Sequence, residues 1–69
     1  MFNQNKLKAQ MVLKEMSAKN LADAMGINEI TFYRKMRDNG RFTREEIATM
    51  IKVLEIEDPA DIFFAEELA

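Results

Sequence analysis

Residues 25–40 read MGINEITFYRKMRDNG, and the fold turns on how that stretch divides. Gly26 can take the left-handed conformation that ends a helix at little cost. Asn28 is a natural N-cap, so a new helix opens almost at once. It runs from about 29 to 38, where Asp38-Asn39-Gly40 breaks it. Along this helix Phe32 and Met36 lie one turn apart and form an inward stripe. Ile30, Arg34 and Arg37 form a second stripe, with Tyr33 beside it. That second face, partly apolar and arginine-bearing, needs a use other than the core.

Working outward, Ser17 is an N-cap for the preceding helix, whose Leu21, Ala22 and Met25 repeat at helical spacing. Ile27 plugs the corner between the two helices, which are joined by a very short turn. Upstream, residues 3–14 form a first helix with Leu7, Met11 and Val12 as inner positions. Downstream, Thr43 and Glu46 make a capping box. Ile47, Met50, Ile51 and Leu54 then stand at i, i+3, i+4 and i+7, a strong amphipathic pattern. Asp58 as N-cap and Pro59 in the first turn open a short fifth helix, with Ile62, Phe63 and Phe64 along and after it. The segment TFY is β-prone, but it sits between Asn28 and Met36, where the helical pattern governs. Met11, Met25, Met36 and Met50 fall on inner faces, so core packing accounts for them better than a methionine-lined binding groove. The expected fold is all-α: a compact five-helix, repressor-like domain with a helix-turn-helix at about 17–38. The expected organisation is one domain over 1–69, with 65–69 fraying.

The 69 residues contain no Cys and no His. Neither a disulfide nor a thiolate or imidazole metal site is therefore available. The single serine, Ser17, is accounted for by capping, and the carboxylate pairs Glu45-Glu46 and Glu66-Glu67 read as a helix start and a solvated tail. No catalytic residue, metal or cofactor is expected. The opening MFNQNKLK has no apolar signal segment, and no run approaches the ~20 apolar residues of a membrane span. The expectation is a cytoplasmic protein with no membrane partner and no small-molecule ligand. The net charge of −2 conceals an asymmetry. Residues 1–44 hold nine cations against four carboxylates, a balance of +5, whereas residues 45–69 hold Lys52 against eight, a balance of −7. A basic portion of this kind fits a polyanion on one side of the molecule, or simply two solvated faces that differ by chance.

The stretch MSAKNLADAMGINEITFYRKM carries a resemblance to a known class. With Ala22 at the small-residue position, Gly26 at the turn, Ile27 after it and Phe32 in the core of the following helix, residues 17–42 resemble the Cro/repressor-type helix-turn-helix proteins of the XRE family. The wider frame over 5–64 fits too: a leading helix, the motif, a capped fourth helix, and a short helix ending in Ile62-Phe63-Phe64. The TFYRKM stretch is similar to that of small phage Cro-like and prophage repressors. The resemblance implies a sequence-specific DNA-binding regulator that holds double-stranded operator DNA, as a homodimer.

Carried over by position, the resemblance sets Asn28, Glu29, Ile30, Thr31 and Arg34 at base edges or nearby phosphates, and Tyr33 joins them beside the outward stripe. Arginine is the usual bidentate reader of guanine, and an apolar side chain can touch a thymine methyl. Ala18 and Lys19 match the start of the helix that crosses the DNA backbone. Arg37, Arg41, Thr43 and Arg44 match the loop and helix start that touch phosphate. Two positions depart from the family pattern. Ala18 stands where relatives often have Gln, which removes an expected contact. Glu15 stands where many have glycine, which suggests a differently built corner. Phe63, Phe64 and Leu68 are the candidate dimer contacts, although they could equally close the monomer core.

Several alternatives stand open on sequence grounds. Ile30 fits either the groove or the edge of the core. Glu29 fits a role at the helix dipole better than cytosine readout. The rival to DNA binding is a protein-interaction adaptor on the same fold, using the acidic C-terminal part and Phe63-Phe64 as its working surface. The discriminating feature is whether Lys19, Arg34, Arg37, Arg41 and Arg44 share one face.

Overall fold

Asn3, Ser17, Asn28 and Thr43 each start a helix in the same way. The backbone before the helix is extended, and the side-chain oxygen accepts the N–H three residues on. A computed structural model describes residues 2–64 of the chain and sets out five helices over them: α1 (Gln4–Leu13), α2 (Ala18–Met25), α3 (Glu29–Arg37), α4 (Arg44–Val53) and α5 (Pro59–Phe63). The described residues contain no strand. The Thr43 cap is a complete capping box, with Glu46 reaching back to the Thr43 N–H. Asp58 stands at the expected place before α5, but its side chain makes no capping bond; Pro59 alone presets that first turn. The expected fraying of 65–69 lies outside the described residues.

Helix ends share a second device. After α2 the Ile27 N–H bonds the Ala22 carbonyl and the Gly26 N–H bonds the Asp23 carbonyl, with Gly26 left-handed at φ +76°. This paired closure absorbs carbonyls that would otherwise lack partners. The same closure follows α1, where Met16 bonds Met11 and Glu15 bonds Val12, and Glu15 itself is left-handed at φ +55°. The corner at Glu15 is thus built as a glycine corner, not differently as its side chain suggests. The closing Met16–Met11 and Glu15–Val12 bonds hold it there. Asn39 and Glu55 take the same conformation after α3 and α4.

The core gathers Leu7 and Met11 from α1, Leu21 and Ala22 from α2, and Phe32 and Met36 from α3. Met50, Leu54, Ile56, Ile62 and Phe63 join them from the C-terminal part. Ile47, Ile51 and Met25 pack against it, partly buried. Two residues outside the helices complete it. Phe2 stacks on Phe63 with ring centroids 5.9 Å apart, and Phe42 lies between Phe2 at 6.0 Å and Phe32 at 5.8 Å. Gly40 is left-handed, and a Cβ there would overlap the Phe2 ring, so that turn requires glycine on two counts.

Two expectations need correction. Val12 is not an inner residue: it is 78% exposed, and Leu13 is 70% exposed. Leu7 and Met11 fix the buried stripe of α1, and Val12 falls about 100° further round the helix. Phe63 is buried against Phe2 and is not available as a dimer contact, whereas Phe64 is exposed. Leu68 lies outside the described residues.

Candidate nucleic-acid interface

Helix α3 is held on three sides. Its start is fixed by Asn28, whose Oδ1 accepts the Thr31 N–H at 2.7 Å. Its inner face is fixed by Phe32 and Met36 in the core, and α2 packs against it across the Gly26 corner. Its far end is fixed by an ion pair. Lys35 donates to both oxygens of Glu46 at 2.8 Å, and Glu46 Oε1 also accepts the Thr43 N–H at 2.8 Å. Among the described residues Glu46 is the one charged residue in the core, 8% exposed. Burial acts to raise its pKa, but the bonds from Lys35 and Thr43 outweigh that and leave it below the ordinary carboxylate range. This carboxylate joins the cap of α4 to the flank of α3.

What α3 turns outward is a continuous stripe. Ile30, Tyr33, Arg34 and Arg37 stand at i, i+3, i+4 and i+7, all exposed, with Ile30 77% exposed. That excludes the edge-of-core reading of Ile30. Tyr33 keeps one ring edge against Phe32 at 5.9 Å and presents the rest of its ring to solvent. Glu29 is exposed in the first turn of α3, where a carboxylate suits the helix dipole. Thr31 is half-buried, and its N–H is taken by the cap. With Asn28 Oδ1 engaged, what Asn28 can present is its amide NH2.

The residues matched to phosphate divide into groups. Ala18 packs its methyl against the core, so only its first-turn backbone N–H can face outward. Lys19 is exposed but lies 3.6 Å from Asp23, and Arg41 lies 3.6 Å from Asp38. Exposed pairs of that length are worth little, so both cations can exchange partners. Arg37 and Arg44 are exposed with no ion-pair partner among the described residues. The Thr43 hydroxyl accepts the Glu46 N–H at 3.1 Å and keeps its own proton to donate. Lys35 is the α3 cation drawn away from the surface.

One element of the surface has no counterpart in the sequence argument. Gln4 and Lys8, on one face of α1, line a groove of about 430 Å3 together with Ile30, Tyr33 and Arg37. Nothing short of the fold that brings these residues of α1 and α3 to one groove could have indicated it, because the two segments are more than twenty residues apart.

Arg34 and Arg37 therefore share one outward face with Ile30 and Tyr33, on a helix whose other sides are immobilised. Such a surface can enter a major groove and offer donors to base edges and phosphates. Among the described residues no helix is long and apolar enough to cross a membrane. The family model described as the Cro/C1-type HTH DNA-binding domain matches residues 6–67. No curated protein and no solved structure matches the chain at a significant level.

Proposed function

Because the chain belongs to the Cro/C1-type helix-turn-helix DNA-binding domain family, we propose that it is a sequence-specific transcriptional regulator of the small phage or prophage Cro-like repressor kind. It acts by occupying operator DNA and blocking polymerase. The observation that carries this reading is the outward stripe Ile30–Tyr33–Arg34–Arg37 on a helix fixed by Asn28, Phe32, Met36 and the Lys35–Glu46 pair. Asn28, Glu29, Ile30, Thr31, Tyr33 and Arg34 lie at or near the bases, with Glu29 also serving the helix dipole. Lys19, Arg37, Arg41, Thr43, Arg44 and the first-turn N–H of Ala18 set the register on the phosphates.

One α3 reads only a few base pairs, so a symmetric pair of copies on an inverted repeat is part of the proposal. The longest dimension of the molecule is 32 Å. That is close to the ~34 Å that separates successive major grooves on one face of B-DNA, the spacing of two half-sites. Exposed Phe64 is the remaining described candidate for their contact. The test is selection from a randomised duplex pool followed by sequencing. Enrichment of an inverted repeat with half-sites ~10 bp apart is expected. A single unrepeated site would remove the dimer, and no enrichment by folded protein would remove DNA reading in favour of a protein-interaction role.

A further inference from the structure

We infer that α1 supplies a second wall of the DNA-binding surface, with Lys8 and Gln4 gripping the phosphate backbone of the strand that borders α3. The inference rests on the DNA-binding reading above and extends it to residues outside the helix-turn-helix. Its basis is the groove between α1 and α3, about 430 Å3, lined by Gln4, Lys8, Ile30, Tyr33 and Arg37. Its chemistry is one-sided. Lys8 stands on one wall and Arg37 on the other. Neither has an ion-pair partner among the described residues, and no carboxylate among those residues lines the groove.

The remaining lining suits a sugar-phosphate chain more than a free anion. Ile30 and the Tyr33 ring are apolar surface of the kind that covers a deoxyribose, and the Gln4 amide and Tyr33 hydroxyl are neutral donors for phosphate oxygens. Lysine acts as a point charge on phosphate and lacks the planar fork that reads a base edge bidentately. Lys8 is therefore assigned to positioning and not to sequence readout. The neighbouring lysines are engaged elsewhere: Lys6 of α1 pairs with Asp61, and Lys14, the C-cap of α1, with Glu55 at 3.4 Å. Lys8 alone among them faces the groove.

The experiment measures binding of the full chain to its selected duplex across a salt series, for the wild type, Lys8→Gln, Gln4→Ala, and Lys52→Gln as a control on α4. Lys8 is exposed and makes no side-chain hydrogen bond among the described residues, so Lys8→Gln is expected to fold, which circular dichroism checks. Lys8→Gln is expected to weaken selected and unrelated duplexes by the same factor. It should also reduce the slope of log K against log salt by about one. Gln4→Ala should weaken both duplexes with the slope unchanged, and Lys52→Gln should match the wild type. A wild-type slope and affinity for Lys8→Gln, with Arg34→Ala impaired in the same assay, would overturn the second wall and leave DNA reading by α3 intact. Absence of duplex binding by the wild type would overturn both readings.

Discussion

Replacing Glu46 by Gln keeps an acceptor for the Thr43 N–H but removes the charge that holds Lys35 between α3 and α4. The folded-state carboxyl is held below its ordinary range, so the unfolded chain binds that proton more tightly than the folded one does. The stabilisation is thus complete at neutral pH and is lost as pH falls through the lowered folded-state value. Glu46→Gln is expected to cost roughly 1–3 kcal/mol at pH 7. Urea melts from pH 3 to 7 should show a flatter stability profile for the variant than for the wild type; parallel profiles would remove the ion pair from the account. Glu15 offers the opposite change. It carries a side chain at φ +55°, and Glu15→Gly relieves that strain, so a gain of about 1 kcal/mol is expected. In a domain of this size it would be read as a rise in Tm of about 4–8 °C.

At the scale of the element, α3 works because its outward stripe is the residue of an inward one. Phe32, Met36 and Lys35 are committed to the core and to Glu46, which leaves Ile30, Tyr33, Arg34 and Arg37 pointing away with little freedom to turn. Arg34 lies at the middle of that stripe. Arg34→Ala is expected to lose about 1–3 kcal/mol on the selected site and much less on unrelated duplexes, whereas Arg41→Ala weakens all duplexes alike. Equal losses for Arg34→Ala on every sequence, measured by titration at fixed salt, would refute base reading. The helix starts were legible in the sequence because Ser17, Asn28 and Thr43 act on their own next turn, and Gly26 is a local signal as well. The stripe of α4 was legible from its spacing. The bearing of α1 was legible only in part: Leu7 and Met11 were placed inward, but apolar residues occur all round the helix, and only contact with the α4–α5 side turns Val12 out to solvent. Phe2 and Phe42 escaped for a related reason: they lie outside any helical period, and only the Gly40 turn brings their rings together. Within the interface, the α3 residues were visible as a pattern, but the loss of Lys35 to Glu46 and the nearness of Lys8 are tertiary facts.

Across the whole molecule, the charge asymmetry resolves into a division of labour. Lys6, Lys14 and Lys35 pair with Asp61, Glu55 and Glu46, so part of the acidic C-terminal portion neutralises cations of the basic portion while binding α1 to the α4–α5 side and α3 to α4. Lys19 and Arg41 carry loose carboxylate neighbours of their own. Among the nine cations before residue 45, those with no partner among the described residues are Lys8, Arg34, Arg37 and Arg44. Only cations that release counterions from phosphate contribute to the salt dependence of binding. The slope of log K against log salt should therefore be about −3 to −5 per protomer, set by these four with some help from Lys19 and Arg41. Engagement of all nine would give about −8. A slope near −8 would mean that the Lys6–Asp61, Lys14–Glu55 and Lys35–Glu46 pairs all open on DNA, and that the fold yields its internal charges to the complex. A slope near −4 would mean that they stay closed, with the acidic portion limiting non-specific attachment. The first case also requires Glu46→Gln to strengthen DNA binding by releasing Lys35; in the second, the same substitution weakens or spares binding through α3 alone.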